Sequence, residues 1–237
     1  IQGDVGSGKT IIAALAATHA FENQLQTAVM APTELLAEQH FINFSNWLNS
    51  IGIHTAWLSG RVTGNRRQAE LERIRKGNAT VVIGTHALFQ NDVDFKNLGL
   101  VIIDEQHRFG VHQRLALREK GVNENSSPHQ LVMTATPIPR TLSMSIYADM
   151  DVSVIDELPP GRKPVITTVM SDERRDSVIP RVAEACEAGR QAYWVCTLIE
   201  ESEALQCQAA EVTAQELGKI LPDVRIGLLH GRMNSSS

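Results

Sequence analysis

Cysteine is scarce in this chain of 237 residues. Cys186, Cys196 and Cys207 are odd in number and lack the paired spacing of a zinc site, which excludes a disulfide framework or a metal knuckle as the organising element. Thiols left free in this way suit a reducing compartment, so a cytoplasmic location is expected. Long apolar runs are missing too. The longest apolar-leaning stretch, residues 10–20, is broken by Thr18 and His19 and falls short of the roughly 18 residues that span a bilayer. No signal-peptide pattern is read at the start. Because the chain opens on Ile1 and closes on Asn234-Ser235-Ser236-Ser237, both ends are expected to be cut edges. An excess of positive charge is also absent, the formal net charge being −5. A nucleic-acid partner would therefore be held by local patches and backbone groups, not by a global positive field.

Apolar residues make up 43% of the chain, enough for one sizeable core or two modest ones. They alternate between short β-type runs and longer segments of helical period, the pattern of a parallel sheet wrapped by helices. Strands are expected at 27–30, 54–58, 80–83, 100–104, 130–134 and 152–155, and helices at 9–22, 34–48 and 66–76. Thr33 is placed as an N-cap and Gly77 as the glycine that ends a helix. A shorter helix is expected at 112–120, and the polar stretch 123–129 as a surface loop. The run Glu157-Leu158-Pro159-Pro160-Gly161-Arg162-Lys163-Pro164 cannot continue a helix or an inner strand, which makes 157–164 a linker between a first domain (1–156) and a second (165–237). In the second, strands near 165–169, 192–197 and 224–229 alternate with helices at 172–188 and 203–221.

Gly3-Asp4-Val5-Gly6-Ser7-Gly8-Lys9-Thr10 fits the phosphate-loop pattern G-x-x-x-x-G-K-[ST] at every constrained position. Glycines let the backbone curl so that several N–H groups converge on one phosphate, and the helix that follows presents the positive end of its dipole. Lys9 then reaches the terminal phosphates of a nucleotide, and the Thr10 hydroxyl is a ligand for Mg²⁺. Downstream, the buried-strand run Leu100-Val101-Ile102-Ile103 ends in Asp104-Glu105-Gln106-His107. Acidic residues at the carboxyl end of an inner strand sit at the mouth of the sheet, where ligands of such folds bind. There Asp104 can hold Mg²⁺ through water while Glu105 orients and deprotonates an attacking water.

With these in place, the ordered motif set resembles a superfamily 2 helicase. Ala31-Pro32-Thr33-Glu34-Leu35-Leu36-Ala37-Glu38-Gln39 and Gly84-Thr85-His86-Ala87-Leu88 are similar to the family's nucleic-acid-contacting motifs. Thr134-Ala135-Thr136-Pro137-Ile138-Pro139-Arg140-Thr141 is similar to the motif that couples nucleotide to DNA. Within the superfamily, Asp104 to Val111 and Thr136 to Thr141 resemble RecG-type branch-migrating DNA helicases and Mfd-type transcription-repair coupling factors. Ser7, Gln106, the 157–162 run and Gln191-Ala192-Tyr193-Trp194-Val195-Cys196 favour the RecG type.

The resemblance implies an α/β, RecA-like P-loop NTPase domain with a parallel sheet and flanking helices, followed by the start of a second RecA-like domain. It implies hydrolysis of ATP with Mg²⁺ to remodel branched duplex DNA, as at replication forks and recombination junctions. It further implies that Thr33 and Thr85 contact the DNA backbone, and that Gln106, His107, Thr134 and Thr136 pass the state of the nucleotide to the DNA grip. An upstream domain that grips branched DNA and downstream arginines that complete the ATP site belong to the RecG pattern and lie outside these residues.

Two basic clusters stand out: Arg61, Arg66, Arg67, Arg73, Arg75 and Lys76 around one helix, and Arg108, Arg114, Arg118 and Lys120 after the acidic motif. Each could neutralise phosphates or be a solvated helix face, and neither is assigned as a binding site. Transporter ATPases are excluded because Leu58-Ser59-Gly60-Arg61-Val62 departs from their Leu-Ser-Gly-Gly-Gln signature, and GTPases because no Asn-Lys-x-Asp motif occurs. The remaining alternatives are an Mfd-like translocase and an ATP-binding interaction module without turnover. Glu105 is the residue that such a module would not need.

Overall fold

The apolar runs of the first half of the chain pair side by side because each is too short to bury itself and finds backbone partners only in its neighbours. The computed structural model describes residues 1–105, 109, 120–122, 127–136, 150–159, 161–196 and 203–229. These belong to two compact units, Ile1–Lys163 and Pro164–Ser237.

In the first unit the elements are β1 (Gln2–Gly3), α1 (Lys9–Glu22), β2 (Gln26–Met30), α2 (Glu34–Leu48), β3 (Thr55–Leu58), α3 (Gly64–Lys76), β4 (Val81–Gly84), β5 (Leu98–Asp104), β6 (His129–Met133) and β7 (Val154–Ile155). Five of the strands form a sheet in the order β3-β4-β2-β5-β6, every pair parallel. β1 pairs in parallel with β7, and Gln2 bridges Thr134 just past the end of β6. The two-residue strand that leads into the phosphate loop therefore lies against the β6 edge.

Strands buried on both faces need a cover on each, and the alternation of β5 supplies it. Leu100 and Ile102 join a cluster with Ala13 and Ala17 of α1 and Phe44 and Leu48 of α2, while Val101 and Ile103 join Leu71 and Ile74 of α3. α1 turns only alanines fully inward (Ala13, Ala14, Ala17 and Ala20), which lets it lie close to the sheet. Thr33 Oγ1 accepts the Leu36 N–H at 3.3 Å, capping α2 as expected. Gly77 ends α3 at φ 77°, a conformation that residues with a Cβ avoid. At Gly84 a Cβ would stand 2.0 Å from the Leu58 carbonyl oxygen, so β3 and β4 can approach only over a glycine.

α1 and α2 have the expected bounds, α3 starts two residues earlier than expected, and the six expected strands all form with ends shifted by up to two residues. β5 gains Leu98 because it pairs with Gln26 across a register irregularity. His129, expected to close a loop, opens β6. The expected helix at 112–120, save Lys120, and positions 123–126 lie outside the described residues.

The second unit contains α4 (Arg175–Glu187), led by a 3-10 turn at Asp172–Arg174, and α5 (Glu203–Ile220). The strands expected near 165–169, 192–197 and 224–229 are not formed among the described residues. Val165, Ile166, Val169, Tyr193 and Val195 are exposed. A parallel strand exists only through a hydrogen-bonded neighbour, and an apolar run does not by itself provide one.

Candidate nucleotide site at the mouth of the sheet

The phosphate loop leaves the end of β1 and turns on Gly6 at φ 83° and Gly8 at φ 94°, both in the left-handed region that suits glycine. Gly3 is required for a different reason: a Cβ there would stand 2.6 Å from Ser7 Oγ and 3.0 Å from Ile155 Cβ. Ser7 Oγ is buried and has no hydrogen-bond partner among the described residues. The Lys9 ammonium folds back over its own loop, donating to the carbonyls of Gly3 at 2.7 Å and Asp4 at 2.8 Å. An unpaired hydroxyl, two left-handed glycines, the Lys9 ammonium and the start of α1 converge on one small space. These are the donors a polyphosphate needs.

The acidic pair stands on strands next to this loop. Asp104 closes β5 opposite Met133 of β6. Its carboxylate is held at both oxygens: Oδ1 accepts the Glu105 N–H at 3.0 Å, and Oδ2 lies 2.7 Å from His40 Nε2. Glu105 adopts φ 50°, unusual for a residue with a side chain, and its N–H donates to the Met133 carbonyl at 3.0 Å. Its Oε1 accepts the Ala135 N–H at 3.4 Å. The neighbouring Thr134 accepts the Gly3 N–H on its carbonyl at 3.2 Å and the Thr136 N–H on its hydroxyl at 3.1 Å. Thus β1, β6 and β5 end side by side, and the short segment Met133–Ala135 bonds to Gly3 of the phosphate loop through Thr134 and to Glu105 through Met133 and Ala135.

No group of three or more His, Cys, Asp or Glu side chains among the described residues could hold a metal ion. Mg²⁺ bound with a nucleotide takes one or two protein ligands and completes its shell with phosphate oxygens and water. Thr10 stands in the first turn of α1 and Asp104 closes β5, and an alcohol with a carboxylate would supply those ligands.

The other expected site residues are placed unevenly. Thr33 is exposed at the start of α2. Thr85 is only 2% exposed, and its hydroxyl is buried without a partner among the described residues, so in this conformation it cannot reach a DNA phosphate; His86 beside it is exposed. Gln106 and His107 lie outside the described residues.

Of the first basic cluster, Arg67 pairs with Asp92 at 2.9 Å, Arg73 with Glu70 at 2.8 Å, and Arg75 and Lys76 with Glu72 at 2.8 and 3.0 Å, the pattern of a solvated helix face. Of the second, Lys120 donates to the carbonyls of Gln90 and Val93, both at 2.8 Å, and burial lowers its pKa. Arg108, Arg114 and Arg118 lie outside the described residues.

Two residues escaped the sequence reading. His40 sits in the middle of α2 with no motif of its own. Arg162, read as part of a linker, reaches back to the phosphate loop, donating to the Val5 carbonyl at 2.7 Å and pairing with Asp4 at 3.1 Å. A lone histidine or arginine carries no local signal for such distant partners.

Residues 1–145 match the family model for the DEAD/DEAH box helicase. The chain belongs to the DEAD/DEAH box helicase family. The match includes the phosphate loop, the acidic pair and the Thr134–Thr136 turn. Among DEAD/DEAH helicases it is similar to the ATP-dependent DNA helicase RecG of Pasteurella multocida, at 64% identity over 98% of this chain and 34% of that protein. RecG of Escherichia coli K12 is 62% identical over the same shares, and RecG of Aquifex aeolicus 50% identical over 98% of this chain and 29% of that protein. The chain thus spans about a third of the length of the curated relatives it matches. A solved structure of RecG bound to a three-way DNA junction superposes with a TM-score of 0.71 at 43% identity, over 92% of this chain and 28% of that one. The resemblance to RecG and the α/β helicase fold expected from the motifs are both borne out.

Proposed function

We propose that this chain carries the ATP site of a DNA helicase that remodels branched duplex DNA. One observation carries the reading: a phosphate loop with an unpaired buried hydroxyl at Ser7 stands one strand away from a carboxylate pair whose orientation is held by backbone bonds. The relatives similar to it over nearly its whole length are named ATP-dependent DNA helicases, and one is solved on a three-way junction.

In this reading Lys9 leaves the Gly3 and Asp4 carbonyls for the terminal phosphates of ATP, and the Ser7 hydroxyl and loop N–H groups bind the others. Thr10 and Asp104 hold Mg²⁺, which when bound neutralises charge on the phosphoryl oxygens. Glu105, fixed by the Ala135 N–H, orients the attacking water and accepts its proton. Thr134 bonds to Gly3 of the loop and to Thr136, and stands next to Ala135, which holds Glu105, a place suited to coupling hydrolysis with DNA. Thr33, exposed at a helix N-terminus, is suited to a phosphate contact; Thr85 takes that role only if the turn after β4 shifts. A first RecA-like domain over 1–156, a linker at 157–164 and the opening of a second over 165–237 complete the proposal, with a cytoplasmic site of action.

The test is steady-state ATP hydrolysis by a protein containing the chain, without DNA, with linear duplex and with a forked junction. Stimulation by the fork beyond that by linear duplex is the expected result. Equal stimulation by both DNAs would favour an Mfd-like translocase, and no hydrolysis under any condition would favour a nucleotide-binding switch.

A further inference from the structure

α2 crosses the same face of the sheet as α1, and His40 is its one buried ionisable side chain, only 6% exposed. A buried imidazole needs a reason. One side is apolar packing, the ring standing edge-on to Phe44 at 87°. The other is the 2.7 Å contact between Nε2 and Asp104 Oδ2. Because the carboxylate can only accept, Nε2 carries the hydrogen, and Nδ1 is buried without a partner among the described residues. One ring nitrogen without a partner is tolerated here for the sake of one well-directed donor. The Glu105 N–H takes Oδ1 at 3.0 Å, so His40 supplies the second of two bonds that remove the rotational freedom of the carboxylate.

We propose that His40 is a positioning residue for Asp104, locking its carboxylate in the orientation that receives the divalent cation of a bound nucleotide. The proposal rests on the reading of Asp104 as the metal carboxylate. Its physical basis is general: hydrogen-bond partners behind a metal-binding group orient it, and their loss typically weakens metal affinity about 10–100-fold. His40 contributes through Asp104 alone.

The experiment measures Mn²⁺ binding to the chain by electron paramagnetic resonance in the presence of ADP, with ADP binding in EDTA recorded separately. His40→Leu keeps the apolar bulk and removes the donor. It is expected to weaken Mn²⁺ at least tenfold and to leave metal-free ADP binding unchanged. His40→Gln places an amide N–H where Nε2 stood and is expected to recover most of the Mn²⁺ affinity, whereas His40→Asn, whose amide reaches only the Nδ1 position, is not. Should His40→Leu fail to fold, the contrast between Gln and Asn carries the test. Wild-type Mn²⁺ affinity in His40→Leu, or equal affinities in the Gln and Asn variants, would overturn the proposal and reduce His40 to packing. A wild-type chain that binds ADP but shows no Mn²⁺ site would instead overturn the reading of Asp104, and the proposal with it.

Discussion

At the scale of single residues the site separates binding from chemistry. Lys9 now spends its charge on two carbonyls of its own loop, which keeps the ammonium solvated by protein until phosphate displaces them. Lys9→Ala removes a charge-assisted contact worth about 1.5–3 kcal/mol, so MgATP affinity should fall roughly 10- to 100-fold. Isothermal titration would show this, and an unchanged affinity would remove Lys9 from the site. Glu105→Gln keeps the shape and the acceptor for the Ala135 N–H but cannot take a proton. Turnover should drop by about 10²–10⁴ with nucleotide affinity within a few-fold of wild type. A variant that hydrolyses ATP at the normal rate would show that Glu105 is not the base. The left-handed backbone at Glu105 belongs to the same design, since it turns the chain sharply after β5 and lets the side chain meet Ala135.

Among the elements, the fit of α3 and β5 around the start of β2 depends on one polar side chain. Gln26 is buried, and its amide donates to the carbonyls of Ile74 at 2.9 Å and Ala79 at 2.8 Å while its Oε1 accepts the Asn97 N–H at 3.0 Å. Three backbone groups that end α3 and lead into β4 and β5 are thereby satisfied away from water. Gln26→Leu would fill the volume and leave the Ala79 carbonyl and the Asn97 N–H unpaired, while the Ile74 carbonyl keeps the Gly77 N–H, at a cost of about 2 kcal/mol in urea unfolding of the first unit. A loss under about 0.5 kcal/mol would mean that water replaces the amide.

For the whole molecule, the phosphate loop, Asp104 and Glu105 all belong to the unit Ile1–Lys163, so nucleotide is expected to stabilise that unit. A slowly hydrolysed MgATP analogue at about 100 times its dissociation constant stabilises its binder by about 2.7 kcal/mol. For a unit spanning Ile1–Lys163 that corresponds to a rise in Tm of about 5–10 °C. Differential scanning calorimetry reads it. No shift in the transition of that unit would refute the assignment of the phosphate loop.

Much of this was legible without coordinates, and the reason is locality. A phosphate loop is a run of eight residues whose glycines, lysine and threonine act together over one turn, and an acidic pair after Leu100-Val101-Ile102-Ile103 announces the end of a buried strand. Helical and strand periods act over the same short range, so α1 and α2 were readable to the residue. Tertiary structure alone decided the rest. It set β1 beside β6 and β7, brought His40 to Asp104 across 64 positions and Arg162 to Val5 across 157, buried Thr85, and formed no ladder among the described residues for the apolar runs of 192–196 and 224–229. A parallel sheet joins strands that are far apart in sequence, and the side chains that meet at its mouth are chosen by strand order, which no local pattern encodes.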